Sequence, residues 1–188
     1  MKSLTWLVLL FLISSGAGAR DAAVPEVTVR VVRDGETITV DAEMLVPVTP
    51  QEAWAVLADY EHFTDFVPNM QVSRIVSKAG EALRVEQKGR ARYGLLSFAF
   101  ESLREVELSP HETLKTRMIK GNMKRMETLT RLVAEGGGTR ILYHNEAVPD
   151  FWVPPLIGPV FIRHEVAEQL GAIIREILRR SGDTNAKR

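Results

Sequence analysis

The chain has 188 residues, with 24 Lys and Arg against 24 Asp and Glu, and no cysteine. Balanced charge excludes an electrostatic grip on nucleic acid. Missing thiols exclude disulfides, thiolate metal sites and a cysteine nucleophile, and the length suits one domain with a real core.

The chain opens "MKSLTWLVLLFLISSGAGA": Lys2, an apolar run from Leu4 to Ile13, then small residues ending Ala17-Gly18-Ala19. That is the order of a cleaved secretory signal. The run is shorter than the roughly 20 residues a spanning helix needs, so a retained anchor is the weaker reading. The expectation is a signal over 1–19, export to a periplasm or the medium, one domain over 20–181, and a flexible polar tail over 182–188.

Val27 to Val32 and a second arm running on to Val48 flank Asp34-Gly35, a favoured tight-turn pair, and predict a β-hairpin. In the second arm Ile38, Val40, Ala42, Met44 and Val46 share one face while Thr37, Thr39, Asp41 and Glu43 share the other, so one side lies on a core. Leu45 breaks the pattern. Thr49-Pro50-Gln51-Glu52 then supplies an N-cap, a proline at the first helical position and a capping-box Glu. This helix should stop near Asp59, with a second short one over Glu61 to Phe66 before Pro68-Asn69.

The middle of the chain is β-rich. Strands are expected over Gln71–Ser77, Leu83–Lys88, Tyr93–Leu108, Glu112–Ile119, Asn122–Val133 and Thr139–Val148, joined by short Gly- or Pro-bearing turns into a meander. Finally, Val160, Ala167, Leu170, Ile174 and Ile177, widened by Phe161, Val166, Ile173 and Leu178, recur at helical spacing over about twenty residues. The fold class is α+β: a curved antiparallel sheet whose apolar face needs that long helix as its cover, with two short helices after the first long strand. A sheet wrapped round a helix leaves an internal gap, a common form of small-molecule site.

"VPVTPQEAWAVLADYEHFTDFVPNM", Val46 to Met70, carries a resemblance. Its Val48, Thr49, Pro50, Trp54, Leu57, Asp59, Tyr60, Phe63, Phe66 and Pro68 match the opening of the polyketide cyclase/dehydrase family, which includes coenzyme-Q-binding START-like proteins. Element order throughout resembles the helix-grip fold of the START-like (Bet v 1-like, SRPBCC) superfamily. The resemblance implies a hydrophobic cavity for a lipid, isoprenoid quinone or polyketide. Some members are aromatase/cyclases and others bind or carry, and no shared catalytic motif exists to transfer, so catalytic residues stay unassigned. A ribosome-directed role found in the family does not fit a chain with a signal.

Candidate cavity-lining residues are Trp54, Tyr60, Phe63, Phe66, Met70, Phe98, Phe100, Met118, Met126, Tyr143 and Phe161, with Met123 beside them. Any one of these rings alone reads as core packing; as a group, with flexible methionines among them, they read as a cavity wall. Phe63 and Phe66 beside Pro68 suit an entrance or lid. The strand arginines Arg90, Arg92, Arg104, Arg117, Arg125 and Arg131 interleave with glutamates and read as outer-face pairs. Arg117 and Arg125 are alternative inward anchors for a ligand's polar end, and His144 with Glu146 or Tyr143 is a candidate acid–base group. His62, His111 and His164 lack metal-ligand spacing, so neither a metal nor a cofactor is expected.

The last helix carries Arg163, Arg175, Arg179 and Arg180, but Glu165, Glu168 and Glu176 share its polar face, which argues for a solvated cover with at most transient membrane contact. The leading functional reading is therefore an exported binder or carrier of a hydrophobic small molecule. An acid–base cyclase/dehydrase is the alternative, and a protein-interaction module with a vestigial cavity is a third.

Overall fold

The computed structural model describes residues 25, 27–80, 82–93, 96–154 and 157–186. The expected signal over 1–19 lies outside them. Strands β1 (Thr28–Asp34) and β2 (Thr37–Val46) form the first hairpin, with Gly35 at φ 57° in its turn. The predicted inward face of β2 is buried at every position, and Leu45 points outward.

Helix α1 (Pro50–Leu57) starts as its sequence dictates. The Thr49 hydroxyl accepts from the Glu52 N–H, and the Glu52 carboxylate accepts from the Thr49 N–H at 2.8 Å. A 3-10 turn (Tyr60–His62) and helix α2 (Phe63–Phe66) follow, and Asn69 at φ 66° turns the chain into β3.

Strands β3 (Met70–Ala79), β4 (Ala82–Tyr93), β5 (Leu96–Ser109), β6 (Thr113–Gly121), β7 (Met123–Glu135) and β8 (Gly138–Pro149) complete one antiparallel sheet ordered β1-β2-β8-β7-β6-β5-β4-β3. Consecutive strands pair except at one step: α1 and α2 carry the chain from β2 across to the far edge at β3, and β8 closes beside β2. Helix α3 (Gly158–Asn185) lies on the concave face, where Leu170, Ile173, Ile174 and Ile177 join β2, α1 and β8 in the main core.

Two sequence expectations are corrected. Tyr93 ends β4 instead of opening the next strand, and Ala91 faces Phe98 across the β4–β5 pair. Val160 is exposed, because the first turn of α3 projects past the packed stripe. The helix also runs beyond Gly182 to Asn185, held by Arg179–Asp183 at 2.8 Å and by the Thr184 hydroxyl donating to the Arg180 carbonyl.

Candidate ligand cavity

Between sheet and α3 lie three adjoining spaces. The mouth cavity, about 200 Å³, is walled by Phe98, Phe100, Met126 and Phe161 together with Phe151, Val153 and β2's Ile38 and Val40. A middle cavity of about 320 Å³ shares Phe100, Met123, Met126 and Val166 with it and adds Phe63, Met70, Met118, Arg104 and Tyr143. A deep space of about 100 Å³ shares Phe63, Arg104 and Tyr143 with the middle one and ends on Leu57, Tyr60, Leu114 and Thr116. The lining is aromatic and thioether at the mouth and becomes polar inward.

Local sequence explains the wall. Strand β5 alternates Phe98, Phe100, Ser102, Arg104 and Val106 onto the concave face, opposite Ala91, Gly89, Gln87, Val85 and Leu83 of β4. Gly89 is required there. A Cβ at that position would stand 2.3 Å from the Phe100 ring and 2.2 Å from the Asn69 carbonyl, so its absence lets the ring lie flat across the strand.

Of the expected lining residues, nine wall one of these spaces: Tyr60, Phe63, Met70, Phe98, Phe100, Met118, Met126, Tyr143 and Phe161. Two do not. Trp54 sits half-buried outside, edge-on to His111 at 5.9 Å, and Phe66 packs edge-on against Phe63 with the Arg180 guanidinium 5.7 Å above its ring. The Phe63–Phe66 pair is thus pinned under α3, and the rim of the mouth cavity lies elsewhere, around Phe98 and Phe151, stacked at 5.8 Å.

The proposed polar anchors face outward. Arg117 pairs with Glu105 at 2.9 Å, Arg125 with Glu146 at 3.7 Å, and His144 with Asp41 at 2.7 Å. Strand alternation decides this: Thr116 and Asn145, one residue away from Arg117 and His144, are the buried positions. The inward cation is Arg104, which the sequence reading placed on the outer face. Unbroken alternation along β5 sets it on the same face as buried Ser102 and Val106.

Arg104 is electrostatically isolated. The residue keeps some exposed surface, but its Nε is buried without a hydrogen-bond partner, and no carboxylate pairs with it among the described residues. Burial pushes its guanidinium below the ordinary value, and the titratable groups that act on it are the hydroxyls of Tyr60 and Tyr143. Burial also pushes Tyr60 up to about 12 and raises Tyr143, so both phenols are neutral donors at any physiological pH. The Thr116 hydroxyl nearby is buried and unpartnered as well. Buried polar groups cost free energy unless something bonds them, so Arg104 Nε and the Thr116 hydroxyl leave this end of the cavity able to donate to a polar oxygen.

Two further buried polar residues shape the walls. Gln87 donates to the Ser73 hydroxyl at 3.0 Å, and Ser73 donates to the Tyr60 carbonyl, tying β3 and β4 to the 3-10 turn. Glu165 lines only the mouth cavity; it accepts from Asn69 Nδ2 at 3.2 Å and from the Arg92 backbone, and burial raises its carboxyl above the ordinary range. Among the described residues no three His, Cys, Asp or Glu side chains group as a metal site.

A curved sheet gripping a long helix over an apolar cavity defines a START-like helix-grip protein. The chain belongs to the family described as polyketide cyclase/dehydrase and lipid transport, whose model matches residues 46–171. Among solved structures it is similar to a STAR-related lipid transfer protein from Xanthomonas axonopodis, with TM-score 0.67, 15% identity, and 85% of this chain and 96% of that one covered. It is also similar to the Zhui aromatase/cyclase from Streptomyces sp. R1128, with TM-score 0.66, 15% identity, and 77% and 96% covered. A START superfamily protein from Mycobacterium smegmatis follows at TM-score 0.64, 11% identity, and 75% and 97% covered. At these identities the likeness is one of fold. A comparison with curated proteins by sequence found no match.

Proposed function

We propose that the protein binds and carries a hydrophobic small molecule, of lipid, isoprenoid or quinone type, with its apolar body along Phe98, Phe100, Met126 and Phe161 and a polar oxygen on Arg104. The observation that carries this reading is the Arg104 guanidinium, its Nε buried and unbonded and with no carboxylate paired to it among the described residues, on the wall of a largely apolar cavity. Burying the ligand's apolar surface supplies about 25 cal/mol per Å², and the Arg104–Tyr60–Tyr143 cluster fixes orientation. An interaction module would leave this space packed and Arg104 paired. The signal-like opening supports a site of action outside the cytoplasm.

A cyclase/dehydrase reading has one observation in its favour: Arg104, Tyr60 and Tyr143 line one deep space, and donors there suit an oxygen that gains charge in an enolising substrate. Such an enzyme also needs a base beside them. The buried carboxylate, Glu165, lines the mouth cavity alone, and Glu101, which shares the middle cavity with Arg104, is exposed to solvent, so the geometry favours holding over turning over.

Native mass spectrometry of the purified protein, followed by solvent extraction, tests the binding reading. A bound apolar molecule with an oxygen-bearing end is expected, at reduced occupancy in Arg104→Met. An empty protein with no affinity for such molecules would overturn it.

A further inference from the structure

Four of the nine exposed large apolar residues among the described ones fall within ten positions: Phe151, Trp152, Ile157 and Val160, with Trp152 at 75% exposure. They occupy the β8–α3 connection and the first turn of α3. Scattered exposed apolar side chains are ordinary, but a cluster is not. Phe151 belongs both to this cluster and to the wall of the mouth cavity, where it stacks on Phe98. Outer patch and inner cavity are therefore one continuous apolar surface.

We propose that this patch docks on a lipid bilayer, presenting the cavity mouth to the membrane. The inference rests on the cavity reading above, and two features commit it to a bilayer. The first is that continuity: a hydrophobic ligand passing over Phe151 moves from cavity to acyl chains without crossing water, and an exposed indole suits the headgroup level. The second is charge. Arg33, whose guanidinium bonds the Gly35 and Val153 carbonyls, lies beside the patch, as does Arg163, one turn beyond Val160. Neither of these pairs with a carboxylate among the described residues, and Lys124 and Glu36 neutralise one another at 3.2 Å. Against these two cations stands Asp150 alone, and the net positive charge complements an anionic leaflet. The docking surface is thus the base of α3 and its preceding loop, not the arginine-bearing far end of the helix, where Arg179 and Arg180 are held by Glu176.

The test uses the full chain carrying Trp6→Phe and Trp54→Phe, which leaves Trp152 as the sole indole. It is mixed with vesicles of phosphatidylcholine and phosphatidylglycerol bearing brominated acyl chains. Docking gives blue-shifted, quenched Trp152 emission that pellets with the vesicles and weakens as salt rises. Adding Ile157→Ser and Val160→Ser lowers the quenched fraction's partition about tenfold. Unquenched Trp152 in a chain that still pellets overturns the proposal and leaves the patch to a protein partner. A blue shift that grows with protein concentration without vesicles assigns it to a second copy. Quenching that stays in the supernatant shows lipid uptake without docking and overturns it too. Because ligand extraction is a separate measurement, a protein that yields a ligand yet fails here loses the docking alone.

Discussion

Arg104 concentrates the functional question in one side chain. A buried cation without a partner destabilises the empty protein, and apolar replacement of buried charge is commonly neutral or stabilising by about 1–4 kcal/mol. Arg104→Met should therefore raise the melting temperature of delipidated protein in a calorimetric scan while weakening the ligand about tenfold, the worth of one charge-assisted hydrogen bond. Loss of both stability and affinity would assign Arg104 to the scaffold. Tyr60 gives a second handle. Its hydroxyl ionises near 10 when unfolded but at about 12 when folded, so the folded state holds the extra proton between those values. Stability is complete below pH 10 and falls as pH climbs from 10 to 12, by up to about 2–3 kcal/mol from this group. Tyr60→Phe should flatten that alkaline decline in denaturant titrations. Residue type misled the sequence reading here: an arginine among strand glutamates suggests an outer pair, yet the alternation Phe98, Phe100, Ser102, Arg104, Val106 already placed it inside.

Among the elements, those with local chemistry were legible. The Asp34-Gly35 turn, the alternation of β2 and the Thr49–Glu52 capping box each need only neighbours within a few residues. The β4–β5 division was hidden because Tyr93-Gly94-Leu95-Leu96 carries apolar residues where a turn usually shows polar ones, and β2–β8 pairing is fixed by contacts about a hundred residues apart. The clip that holds α3 to the short helices was equally invisible. Arg180 bonds Asp59 and Glu176, each at 2.7 Å, and Ser181 donates to Glu52 at 2.9 Å. Hydrogen bonds from Arg179, then Arg180, hold the Glu176 carboxyl down at about 2 against the opposing effect of burial. At Asp59 burial raises the carboxyl, but bonds from His62 and Arg180 outweigh it and leave it below the ordinary value. For a depressed carboxylate the contribution is present above the unfolded value of 4.5 and is lost as pH falls towards 2. Glu176→Gln should thus lower stability at neutral pH and make the acid limb of a pH–stability curve shallower; an unchanged acid limb would show that the clip is solvated ornament.

At the scale of the whole molecule, the binding reading makes stability depend on the ligand. A ligand that binds only the folded state at a hundred times its dissociation constant adds about 2.7 kcal/mol, and for a domain of this size each kcal/mol moves the melting temperature by about 2–4 °C. Solvent extraction should therefore lower the melting temperature by several degrees, and restoring the extracted fraction should recover it. The same cycle on Arg104→Met discriminates between apolar filling and polar anchoring. If Arg104 anchors the ligand, the mutant starts higher when empty and gains less on loading, so the two proteins converge. If the ligand only fills the apolar space between Phe98 and Met126, both proteins gain equally, and the cavity's polar end has no part in holding it.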